Sequence, residues 1–181
     1  MEFKILGPFE VLAENGAVSI AGAKERSLLA LLLLHGGRVV STDRLIDSLW
    51  GEEPPETARK SLQVRVAGLR KALGQDRIVT SPSGYRVSLA RPEDLDLERF
   101  ERLAAIVDAE SLREALSLWR GPALIDFAHE PWAIAPAARL EEVRLAVLEK
   151  RIDADLMLGR HGDVVGELEE LVVAHPLRER F

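Results

Sequence analysis

The run LLALLLL at Leu28–Leu34 places apolar residues on nearly every side of a helix. Such a helix has to be buried on most of its faces. Crossing a bilayer takes about 20 apolar residues, so this run is far too short to do it. The burial must come from the rest of the chain. Other elements are therefore expected to surround a central helix running from about Lys24 to His35, which Gly36-Gly37 ends.

With 181 residues the chain can form one large domain or two small ones. Its 47% apolar and 30% charged residues are those of a soluble globular protein. It has no cysteine, which excludes disulfides and thiolate metal sites and suits a reducing cytoplasm. The start, MEFKILGPFEV, lacks the basic and apolar regions of a signal peptide. A cytoplasmic protein with no membrane partner is expected.

Charge divides the chain. Residues 1–91 hold 13 Lys and Arg against 10 Asp and Glu, and residues 92–181 hold 11 against 20. The asymmetry predicts two domains with different partners, 1–91 and 92–181, with a boundary near Arg91–Leu95.

Before the leucine helix, FKILG, FEVLAE and AVSIAG read as short strands, with Asn15-Gly16 as a hairpin signal. After it, RVV reads as a strand. STDRLIDSLWG reads as a helix with Thr42 as N-cap and Leu45, Ile46, Leu49 and Trp50 on one face. A third helix covers Thr57–Leu73 and stops at Gly74. RIVTS and YRVSL then form a hairpin around Pro82-Ser83-Gly84. Strands, three helices and a two-stranded ribbon are the plan of a winged helix-turn-helix.

The remainder is helical. Leu97, Phe100, Leu103 and Ile106 or Val107 mark one helix, and Leu112, Leu116 and Trp119 a second. EEVRLAVLEKRIDADLMLG gives about five helical turns. GRHGDVVGELEELVVAHP fits the second helix of a tetratricopeptide repeat, with Val164, Val165, Leu168 and Leu171 inward and Pro176 as the stop, although any helical hairpin fits as well. The fold class is thus mainly α with small antiparallel β: a winged helix-turn-helix followed by an all-helical, tetratricopeptide-like domain.

Thr57–Leu73 contains Arg59, Lys60, Arg65, Arg70 and Lys71 and no acid, within a chain of net charge −6. On a helical wheel Ala58, Leu62, Val66, Leu69 and Leu73 form a buried stripe. Arg59, Lys60, Gln63, Ala67, Arg70 and Lys71 lie opposite, with Val64 outside the stripe. Arg65 falls at its edge and is expected to snorkel outward. A carboxylate on such a face would be repelled by DNA. Gln63 suits an adenine edge and Val64 a thymine methyl, while Ala67 and Gly68 permit close approach. Taken alone, the stretch is equally an ordinary amphipathic helix. The helix-turn before it and the hairpin after it favour double-stranded DNA. In the hairpin, Arg77, Thr80 and Ser81 are candidates for phosphate contact.

FKILGPFEV, STDRLIDSLWGEEPPETARKSLQVRVAGLRKALG, IVTSPSGYRV and LDLERFERL resemble the antibiotic regulatory protein (SARP-type) family of bacterial transcription activators. LREALSLWRGPAL, EPWA and the stretch from Ala138 to Phe181 resemble that family's bacterial transcriptional activation domain. The resemblance implies an OmpR-type winged helix joined to tetratricopeptide-like helices. It also implies a homodimer on promoter direct repeats, recruitment of RNA polymerase, and control of secondary-metabolite (antibiotic) biosynthesis. By matching position it makes Lys60, Ser61, Val64, Arg65 and Arg70 DNA-facing. The loop Gly51–Glu56, with Glu52, Glu53, Pro54, Pro55 and Glu56, becomes a candidate polymerase surface. Ser81 often has an arginine counterpart in relatives, which leaves the wing's affinity open. In the family more helices follow HPLRERF, so a longer natural protein is expected, with an ATPase module as one candidate extension. Such a regulator would be nucleoid-associated when bound.

No GxxxxGK[ST] loop, HExxH motif or nucleophile elbow occurs, and His35, His129, His161 and His175 are scattered. No enzyme activity, cofactor or metal is expected. The other class of function open to the chain is a protein-interaction scaffold that uses the winged helix and the helical repeats.

Overall fold

The computed structural model describes residues 1–178. Three short strands open the chain as an antiparallel sheet in the order β1 (Glu2–Lys4), β2 (Glu10–Ala13), β3 (Gly16–Ala17). Ala13 pairs with Gly16, so Glu14-Asn15 form the hairpin loop, one residue earlier than the Asn-Gly signal suggested. The leucine run lies in α1 (Ala23–Leu33), where Ser27–Leu33 are all buried. His35 falls in the turn beyond the helix, its Nδ1 2.8 Å from the Leu31 carbonyl oxygen.

β4 (Val40–Ser41) leads into α2 (Thr42–Trp50). The N-cap is Ser41, not Thr42: the Ser41 side chain accepts from the Arg44 N–H, and Thr42 is already helical. α3 (Ala58–Leu73) follows, then the wing, β5 (Ile78–Ser81) and β6 (Gly84–Val87). β4 pairs with β6, giving a second antiparallel sheet in the order β4-β6-β5. At Gly84 the strands approach too closely for any side chain, since a Cβ there would lie 2.8 Å from the Ser41 Cα.

The helical part comprises α4 (Asp96–Ala104), α5 (Ala109–Ser117), α6 (Pro131–Met157) and α7 (His161–Ala174). Successive helices pack on one another. α4 ends earlier than its apolar period suggested, leaving Ile106 and Val107 exposed. α6 starts well before Glu141. Pro131 suits a first helical turn, and Pro136 is accommodated one turn further on. On α7 only Val164 is buried. Val165 faces outward, and Leu168 and Leu171 are half-buried. Residues 179–181 of the resembling tail lie outside the described residues.

The two parts share one hydrophobic core, running from Phe3, Ile5 and Leu6 through α1 to Phe100, Trp119 and Phe127. The segment after β1 threads between them. The Asp96 carboxylate accepts from the backbone N–H groups of Ile5 and Leu6, each at 2.9 Å. Leu6 and Ile5 accept in turn from the Arg120 and Leu124 N–H groups, at 2.9 and 3.0 Å. Phe9 donates to Asp126 at 3.0 Å. Gly7, at φ 132°, lies where a Cβ would meet Arg120 at 3.0 Å. Burial pushes the Asp96 carboxyl above its ordinary range, and the Leu6 and Ile5 N–H groups and Arg120 hold it down.

Removing the Asp96 carboxylate leaves two buried N–H groups without acceptors. Asp96→Ala is expected to lower the unfolding free energy by about 3 kcal/mol, read as a shifted urea midpoint. Gly84→Ala is expected to part β4 from β6, read as faster amide exchange at Val40 and Tyr85.

Candidate nucleic-acid interface

α3 is positioned by its buried stripe. Ala58, Leu62, Val66, Leu69 and Leu73 are each no more than 5% exposed, packed towards α1 and α2. With 16 residues it is about 24 Å long. Its opposite side presents Arg59, Lys60, Gln63, Val64, Ala67 and Lys71 to solvent. Val64 is 64% exposed, an apolar group left largely open to solvent. Among the described residues, Lys60, Gln63 and Lys71 have no hydrogen-bond or ion-pair partner.

The other sequence-selected residues are placed differently. Arg59 reaches Asp43 on α2 at 2.6 Å, but both side chains are more than 70% exposed. Such a surface pair is worth roughly 0–1 kcal/mol, so a phosphate can displace it. Ser61 is half-buried beside the first turn. Arg65 does not snorkel into solvent. Its Nη1 donates to Glu25 of α1 at 2.8 Å, and both side chains are largely buried. The reason is the neighbouring helix: α1 brings Glu25 against α3 beside Gly68.

Arg70 joins the helix to the wing. Its Nε and Nη2 donate to the Ile78 carbonyl at 2.9 and 2.7 Å, and Nη2 also reaches Thr80 Oγ1 at 2.8 Å. Thr80 is thus both exposed and anchored. Ser81 is half-buried opposite Gly84, where the strands close around Pro82-Ser83. Arg77 donates to the Ser88 carbonyl at 3.4 Å. α3 and the wing therefore form one bracketed unit, with the acid-free side of α3 facing out. The loop carrying Glu52, Glu53, Pro54, Pro55 and Glu56 is exposed throughout and enters α3 through the Ala58 N–H, which donates to Pro55 at 2.8 Å.

Reasoning from sequence passed over Arg38 and Arg44. Arg44 lies in the first turn of α2 and Arg38 just before β4, and neither has an ion-pair partner among the described residues. They are single arginines in mixed segments, so no spacing pattern marks them. Among the described residues no group of three or more His, Asp and Glu could hold a metal ion, and no helix is long and apolar enough to cross a membrane.

Two family models match in succession. Residues 17–87 match "Transcriptional regulatory protein, C terminal", and residues 95–181 match "Bacterial transcriptional activator domain". Regulatory protein AfsR of Streptomyces griseus is 39% identical over the whole chain, which covers 20% of that protein. Regulatory protein DnrI of Streptomyces peucetius is 37% identical, with the whole chain matched and 74% of the relative covered. Transcriptional regulator RedD of Streptomyces coelicolor is 36% identical, with 57% of its length covered. The solved structure of Mycobacterium tuberculosis EmbR in complex with a low affinity phosphopeptide superposes with a TM-score of 0.92 at 32% identity, covering 99% of this chain and 52% of that one. These relatives bear the names of regulators rather than of enzymes. With a winged helix and a helical activator domain in this order, and a relative matched over most of its length, the chain belongs to the SARP-type family of bacterial transcriptional activators.

Proposed function

We propose that the chain is a sequence-specific DNA-binding activator that sits on promoter direct repeats as a homodimer and recruits RNA polymerase, controlling secondary-metabolite (antibiotic) biosynthesis. The observation that supports this reading best is the outward side of α3. Over 16 residues it carries no carboxylate, and among the described residues Lys60, Gln63 and Lys71 have no hydrogen-bond or ion-pair partner while Val64 is exposed. Cations meet phosphates there, while Gln63 and Val64 are of a size and chemistry to read base edges. Arg70 and Thr80 hold the wing at the angle that lets Arg77 and Ser81 meet the adjacent backbone. The exposed acidic loop Glu52–Glu56 projects beside the bound DNA and is the surface offered to polymerase. The named regulators among the relatives support the role in transcription.

Selection from a pool of random duplexes at two salt concentrations tests the reading. An enriched direct repeat is expected, with a log–log salt slope near −0.9 for each phosphate contacted. No binding at either salt would overturn it in favour of a protein-interaction scaffold. Lys60→Glu is expected to weaken binding to the enriched duplex by at least about tenfold, since it puts an acid against phosphate. Arg70→Ala is expected to weaken all duplexes alike by several-fold, because it frees the wing without touching the base-reading residues. Both are measured by fluorescence anisotropy. Reversing Glu52, Glu53 and Glu56 to lysine is expected to leave anisotropy unreduced while abolishing activation in a reconstituted transcription assay.

A further inference from the structure

Twelve of the arginines in residues 1–178 are ion-paired with a carboxylate. Six are not, and they fall in two groups. Arg70 braces the wing on Ile78 and Thr80, Arg77 is offered to phosphate in the reading above, and Arg86 lies in β6 of the wing. Arg38, Arg44 and Arg139 have no such account, and all three line one cleft. In an acidic protein, where carboxylates outnumber Lys and Arg by 30 to 24, three neighbouring guanidinium groups without ion-pair partners are unexpected.

The cleft lies between the winged helix and the helical domain and has a volume of about 720 Å³. That is within the range of small-molecule sites, roughly 300–1,000 Å³. α2 contributes Arg44 and Ser48, and the turn before β4 contributes Arg38. α4 contributes Leu97, Glu98 and Glu101, and α6 contributes Trp132, Pro136, Arg139 and Leu140. Its inner wall is apolar and partly aromatic. Among the described residues the Trp132 indole N–H is buried without a hydrogen-bond partner. At the α4 side, burial and then the charge of Glu101 push the Glu98 carboxyl up, against Arg38, which holds it down.

We propose that this cleft binds a small organic anion: a flat, ring-sized apolar body against Trp132, Leu97 and Leu140, bearing an acid group held by Arg38, Arg44 and Arg139. Guanidinium groups take carboxylates and sulfonates through paired, charge-assisted hydrogen bonds. Glu98 and Glu101 accept from hydroxyl groups on the body. α2 packs on α6 beside the cleft and carries the loop into α3. A bound anion therefore bridges the helical domain and the helix pair that presents α3. This coupling rests on the DNA reading, but the binding site itself does not.

The test uses the whole chain without DNA, so it stands whether or not the DNA reading does. 8-Anilinonaphthalene-1-sulfonate carries an acid on a flat apolar body, and N-phenyl-1-naphthylamine is nearly the same body without charge. The sulfonate is expected to bind at one site per chain. The neutral compound, Arg139→Ala and Ala135→Phe are each expected to weaken binding by about tenfold, through lost charge-assisted bonds or a filled cleft. Circular dichroism checks that each variant is folded. Arg139 and Ala135 are both exposed, so a folded variant of at least one is expected. Equal binding of the neutral compound, unchanged binding by folded Arg139→Ala, or no saturable site would each overturn the proposal. Unchanged sulfonate binding by folded Arg44→Ala would also overturn it.

Discussion

The Asp96 carboxylate ties the molecule together. It stands at the start of α4, where the helix dipole favours a negative charge, and it accepts the N–H groups of Ile5 and Leu6. Those two residues lie between β1 and β2, so one side chain fixes the first sheet to the helical domain. An acid so buried is costly unless its hydrogen bonds are made. The backbone supplies them, and Arg120 adds its charge at 3.7 Å. Phe3 pairs with Leu95 in the same place, and the Ile5 and Leu6 side chains enter the shared core. These bonds and the shared core join the winged helix to the helical domain.

Packing gives α3 its surroundings. α1 is buried, packed on α2, α3 and β6, and α3 lies against it with Leu62, Val66 and Leu69 buried. The inward edge of α3 is electrically closed, with Arg65 on Glu25, and its end is braced on the wing, with Arg70 on Ile78 and Thr80. The outward side is left open. The same packing that exposes Lys60, Gln63 and Lys71 also gathers Arg38, Arg44 and Arg139 around a cleft on another face, between the two parts.

Much of this was legible because it depends on neighbours in sequence. The buried stripe of α3 matches its helical wheel position for position, since a 3.6-residue period fixes which side chains share a face. The order of strands, helices and wing follows from alternation, glycines and prolines. Arg65 was misread for the opposite reason. Its wheel angle puts it at an edge, and only the approach of α1, 40 residues away in sequence, turns that edge into an ion pair. Ile106 and Val107 kept the helical period, yet the chain left the helix before them. α6 began early because Pro131 stands at its first position, where a missing N–H is tolerated, while Pro136 lies inside the helix.

By itself the sequence determined the fold class, the acid-free side of α3 and the likeness to a regulator family, because periodicity, charge and motif order are properties of the chain read along its length. Only the tertiary structure decided which arginines are already paired, that Asp96 joins the first sheet to α4, and that three unpaired guanidinium groups share one cleft. Most of those facts depend on distances between residues far apart in the chain, and packing sets such distances.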